Sequence, residues 1–198
     1  MGDRIETLAT YVGDMHALEK HLLEAFERQL NLTEDSPQAH QVVQQLVDSS
    51  RRHIDQLEQR LTAIGHPSKG VTDTVKAAVA GIFGVAAGAI DHVRPQSVSK
   101  ALRDSYTAIN HAIISYIMLQ TSGLALNDTE TATLAVQLLQ DSVHNAQAIA
   151  SVMPSLVVQD ISDDVGNVSS DAASQVTGNQ QLGFLYQAAS GQTQSAGA

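Results

Sequence analysis

A histidine at a core position is the chemically informative feature of this sequence. Taken at steps of three and four, Val43, Leu46, Ser50, His53, Leu57, Leu61 and Ile64 share one helical face. His53 interrupts an apolar seam, and a buried polar group without a partner is costly. A second anomaly lies upstream. Leu8, Val12, Met15, Glu19, Leu22, Phe26 and Leu30 form another helical stripe, with the Glu19 carboxylate between Met15 and Leu22. Buried carboxylate and imidazole groups on facing helices make either a hydrogen-bonded polar network or a metal site.

Further polar residues fall near the middle of two later helical patterns. Asn110 lies beside Tyr106 and Ile113, and Asp141 and Asn145 lie on a stripe with Leu134, Leu138, Ala148 and Val152. Asp141 and His144, three apart, have the best local spacing for metal ligation, although an i, i+3 pair alone is a weak signal. The expected polar layer is therefore Glu19, Ser50, His53, Asn110, Asp141 and Asn145, with His144 at its border. A di-iron centre uses about four carboxylates and two imidazoles. Here Ser50, Asn110 and Asn145 supply hydroxyl and amide groups instead. Two readings follow: a metal-free network with no cofactor, or one divalent ion (iron, zinc or manganese) on Glu19, His53, Asp141 and His144. His16, His21, His40 and His66 fall on polar faces or in a turn and read as solvated.

Four long helices are predicted to carry these groups. The first spans about Asp3–Leu30. The second begins at Ser36-Pro37, an N-cap followed by an N1 proline, and stops at Gly65, which suits the left-handed C′ position. A third runs from Pro95–Ser97 to about Leu126, with a main stripe of Leu102, Tyr106, Ile109, Ile113, Ile117 and Leu124. Asn127-Asp128-Thr129-Glu130 reads as a cap with Glu at N3. The fourth helix then runs from Thr129 to Met153, ending before Pro154. Short turns join the helices into two hairpins, and one long crossover links the hairpins. The expected fold is all-α: a ferritin-like antiparallel four-helix bundle whose crossover carries an extra Gly/Ala-rich helix.

In that crossover, Ala77–Ile90 is an unbroken apolar run of 14 residues, too short to span a bilayer, with Gly81, Gly84 and Gly88 available for close helix contact. A buried crossover helix is expected, with membrane insertion as the alternative, and the small residues add a possible dimer surface. Residues 1–165 form the bundle domain. Residues 166–198 are a low-complexity tail with too few apolar residues to order itself. One island in that tail, Leu182, Phe184, Leu185 and Tyr186, is a candidate docking peptide for a protein partner.

Composition narrows function by exclusion. The chain has no cysteine, which removes thiolate metal sites and a cysteine nucleophile. Its net charge is −10, and all 11 Lys and Arg residues lie at or before Arg103, so the remainder carries about −8. That argues against nucleic acid and against an anionic membrane surface. No basic head with an apolar run opens the sequence, so a cytoplasmic location is expected. Phosphate loops and nucleophile elbows are absent.

The segments "DMHALEKHLLEAF" (Asp14–Phe26) and "SSRRHIDQLEQRL" (Ser49–Leu61) resemble the first and second helices of the YciE/YciF-type ferritin-like proteins of bacteria. The resemblance extends over about Asp3–Pro154 and implies a ferritin-like bundle, often dimeric and stress-associated. It puts Glu19 and His53 on ligand positions, Ser50, Asn110 and Asn145 where carboxylates are expected, and Ala148 where a second histidine is expected. "LRDSYTAINHAIISYIMLQTSGLAL" (Leu102–Leu126) looks like a degenerate branch of such bundles. A non-enzymatic structural or interaction protein with a decayed metal site is the leading expectation. A metal-binding sequestration or oxidase protein is the alternative, and a partner module recruited through the tail is a third.

Overall fold

The computed structural model describes residues 3–66 and 97–178. Helix α1 is Arg4–Leu32, α2 is Pro37–Ala63, α3 is Val98–Ala125, α4 is Thr129–Val165, and a short α5 is Ala172–Gly178. No strand occurs among the described residues. The expected crossover helix, with Gly81, Gly84 and Gly88, and the Leu182–Tyr186 island lie outside them.

Side-chain bonds fix the direction of each helix. Arg51 bonds Glu27 and His53 bonds Glu19, so residue numbers run oppositely on α1 and α2. Gln29 bonds the Ala101 carbonyl and the Ser105 hydroxyl at one end of α3, and Glu19 bonds Tyr116 further along, so α1 and α3 are antiparallel. Arg60 reaches Asp128, His53 reaches Asp141 and Gln45 reaches Asn145, so α2 and α4 are antiparallel as well. The bundle is therefore up-down-down-up, in which α2 and α3 run the same way. The end of α2 and the start of α3 therefore lie at opposite ends of the bundle, as in the ferritin-like arrangement.

The stripes on α1 and α2 are buried as expected, from Leu8 to Phe26 and from Val43 to Leu61. On α3 the inner face is different. Ser99, Leu102, Ser105, Ile109, Ala112, Tyr116, Leu119 and Gly123 face inward, while Ile117 and Leu124 are exposed. The helix is turned toward its small residues because Ser105, Ala112 and Gly123 let α1 and α4 approach closely. At Gly123 an added Cβ would lie 2.8 Å from the Ala132 backbone nitrogen.

The ends follow local chemistry. Gly65 has φ +82° and closes α2. Ser36 is the N-cap of α2 and Pro37 its first residue, but the Ser36 side chain makes no capping bond. Asp128 rather than Asn127 caps α4, accepting from the Thr131 amide at 2.8 Å, while Asn127 takes a left-handed φ of 56°. With Asp128 as the N-cap, Glu130 falls at the second helical position rather than the third and bonds Arg60 instead. Helix α4 also continues through Pro154 to Val165, where an end at Met153 was expected. An internal proline costs roughly 3 kcal/mol. Tertiary contact offsets that cost: Leu156 is buried in the core, and Asp160 accepts a bond from Ser99 at the start of α3. Beyond Gly166 (φ +82°) the seven residues of α5 form a helix that lies against α4.

Candidate functional site

Midway along the bundle, α1, α2, α3 and α4 each contribute at least one side chain to a connected polar cluster. His53 is almost fully buried, and its Nδ1 lies 3.0 Å from Oε1 of Glu19. Its Nε2 lies 3.3 Å from Oδ2 of Asp141 and 3.4 Å from the Ser49 hydroxyl. The Tyr116 hydroxyl donates to the same Glu19 oxygen at 2.6 Å, and its ring meets the imidazole edge-on with centroids 5.9 Å apart. Glu19 and Tyr116 are buried, whereas Asp141 is partly open to solvent. Arg52 stands outside it, its guanidinium 3.8 Å from Oδ2 of Asp141.

The electrostatics favour a charged ring. Burial alone pulls the His53 pKa down, but the hydrogen bonds and negative charges of Glu19 and Asp141 outweigh it, so the net shift is upward. In the protonated ring both nitrogens donate, which suits an acceptor at each edge. The Tyr116 pKa is also raised: burial, and then the charge and hydrogen bond of Glu19, push it far above the ordinary value and keep the phenol a neutral donor. The formal charges of Glu19, Asp141, His53 and Arg52 sum to zero when the imidazole is protonated.

The other expected members fall elsewhere. Asn110 is exposed, and its amide donates to its own helix at the Tyr106 carbonyl. The rotation of α3 that buries Ala112 and Tyr116 moves it outward, and Tyr116 takes the inward place opposite Glu19. His144 is exposed on α4 because its neighbours Val143 and Asn145 take the inner face. Asn145 is buried but belongs to a different level, accepting from the Gln45 amide at 3.0 Å. Ser50 is buried without a bond to His53, and its neighbour Ser49 stands at hydrogen-bonding distance. His16, read as solvated, is buried and bonded to Glu58 at 2.9 Å.

A ferritin-like bundle raises the question of a metal, and the donor set answers poorly to one. Glu19 and Asp141 lie at opposite edges of the His53 ring, so the two carboxylates and the imidazole cannot converge on one ion. Among the described residues, no group of three or more His, Asp or Glu side chains is placed to hold a metal. One feature points the other way: Oε2 of Glu19 is buried and accepts no hydrogen bond.

Fold and cluster together define a ferritin-like four-helix bundle with a buried, hydrogen-bonded polar centre. A family model described as "Domain of unknown function (DUF892)" matches residues 4–162, and the chain belongs to that family, which lies within the ferritin-like superfamily. A crystal structure of a protein from Xanthomonas campestris pv. campestris is similar to it in fold, with a TM-score of 0.64 and 17% identity, covering 82% of this chain and 99% of that one. No curated protein matches the chain.

Proposed function

We propose that this is a non-enzymatic structural or interaction protein in which a protonated imidazole, not a metal cation, holds the bundle centre together. The observation that carries this reading is the position of His53 between two carboxylates, one at each ring nitrogen. An imidazolium there supplies positive charge where ferritin-like bundles use metal ions to offset inward carboxylates. Tyr116 and Ser49 complete the network with neutral groups, leaving little demand for another cation. The resemblance to YciE/YciF-type proteins adds stress association to the proposal.

The test is metal content. Protein purified without chelator should contain no stoichiometric iron, zinc or manganese, and adding each ion should leave the melting temperature unchanged. One equivalent of bound metal, lost in His53→Ala, would overturn the proposal.

A second reading rests on Oε2 of Glu19, which is buried without a hydrogen-bond donor. A divalent ion held by Glu19 and Nδ1 of His53 would satisfy that oxygen, with Asp141 accepting from the opposite ring nitrogen as second-shell carboxylates do. This reading is distinguished by its stoichiometric metal and by loss of that metal in Glu19→Gln.

A further inference from the structure

The outer face of α3 is built unlike a water-facing helix. Ile114, Ile117, Met118 and Leu124 are 52%, 42%, 54% and 56% exposed. From Ser105 to Leu126 the sequence contains no Asp, Glu, Lys or Arg, in a chain whose net charge is −10. Four polar side chains among these residues are turned back on their own helix. Asn110 donates to the Tyr106 carbonyl, Ser115 to His111, Thr121 to Ile117 and Ser122 to Met118, each four residues earlier. Hydroxyl and amide groups satisfied in this way lose little when water is removed. The face is therefore prepared for an apolar cover.

The chain's own geometry supplies one. Arg60, near the end of α2, bonds Asp128 and Thr131 just beyond the end of α3. The connection from His66 to Ser97 thus leaves the bundle beside the C-terminal end of α3 and must return to its N-terminal end. That distance is about 42 Å, the length of a 28-residue helix. Thirty residues, 67–96, cover it with slack. Within them Ala77–Ile90 contains no polar side chain. As a helix it would be about 21 Å long, enough to cover the roughly 15 Å from Ile114 to Leu124.

We infer that Ala77–Ile90 docks in cis on the outer face of α3, against Ile114, Ile117, Met118 and Leu124. A tethered segment gains an effective concentration that a free partner lacks. It also needs no more than the area of one helix face, whereas a stable dimer needs about 800 Å² per partner.

The absence of cysteine makes a clean test. In the full chain, Met118→Cys is combined in turn with Gly81→Cys, Gly84→Cys and Gly88→Cys, and a short bismaleimide is added at low protein concentration. Cross-links within one chain for at least one pair support the inference. Their absence overturns it, whether the reagent bridges two copies or bridges nothing. As an independent measurement, Ile117→Asp combined with Met118→Asp, both at exposed positions, should speed hydrogen exchange of peptides from 77–90 by about tenfold or more while leaving α1 unchanged. Unchanged exchange in those peptides would also overturn it.

Discussion

One oxygen of Glu19 receives two donors, the Tyr116 hydroxyl at 2.6 Å and Nδ1 of His53 at 3.0 Å, while its other oxygen receives none. The carboxylate is thus held from α2 and α3 at once, and each bond matters more because no third donor can replace it. Tyr116→Phe removes only the hydroxyl. A hydrogen bond to a charged group contributes roughly 1.5–3 kcal/mol, so the variant should lose about that much stability. Urea unfolding should show a lower midpoint with an unchanged slope. An unchanged midpoint would mean that the bond contributes nothing in the folded chain.

The raised pKa of His53 has a defined sign in stability. Burial lowers it, but Glu19 and Asp141 raise it further, so the folded chain holds the proton more tightly than the unfolded chain. The stabilisation from this group is fully present below the unfolded value, near 6.5, and is lost as pH rises through the folded value. The difference in melting temperature between wild type and His53→Gln, followed from about pH 5.5 to about pH 9, should therefore shrink with rising pH. A difference that grows or stays level would show that His53 is buried neutral.

Glu19 and His53 were legible in the sequence because each interrupts an otherwise apolar stripe on a helix with a charged outer face. Tyr116 was not, since α3 is apolar on both sides and hydropathy alone does not orient it. The signal lay in spacing: Leu102, Ser105, Ile109, Ala112, Tyr116, Leu119 and Gly123 step by three and four without a break. Three of those residues are small, so a reading weighted toward isoleucine and leucine favoured Ile113, Ile117 and Leu124 instead. That choice displaced Asn110 into the expected layer. His144 was misplaced for a related reason, because Asp141-x-x-His144 resembles a ligand pair while the helix buries Ser142, Asn145 and Ile149. The passage of α4 through Pro154 depends on contacts with residues more than fifty positions away, such as Ser99, and local propensity does not contain them.

Arg60 joins the end of α2 to the start of α4, bonding Asp128, Glu130 and Thr131 with its side chain largely enclosed. Burial raises the Asp128 pKa, but the Thr131 amide and hydroxyl and the Arg60 charge outweigh it, and the net shift is downward. Its contribution is present above the unfolded value, near 3.8, and is lost as pH falls through the folded value. Wild type should exceed Asp128→Asn in stability at neutral pH, with the advantage disappearing in acid. Denaturant melts of both proteins at neutral and acid pH would measure this, and a constant advantage would assign the effect to the cap geometry alone. Arg60→Met should cost about 1–3 kcal/mol, since it leaves Asp128 without its enclosed cation.

Gly123 is required by approach, not by backbone dihedral. A Cβ there would stand 2.8 Å from the Ala132 nitrogen, 3.0 Å from the Asp128 oxygen and 3.2 Å from the Ala132 Cα. All three are backbone atoms in or beside the first turn of α4, so no side-chain rotation makes room, and the hairpin must open. Gly123→Ala gains up to about 1 kcal/mol of helix propensity. Overpacking of this kind costs about 1–3 kcal/mol, so the net effect should be destabilising. Because the clash is with backbone, Ala132→Gly should not rescue the variant. Rescue in a thermal melt of the double variant would show that the Ala132 side chain, not the backbone, limits how closely α3 and α4 pack.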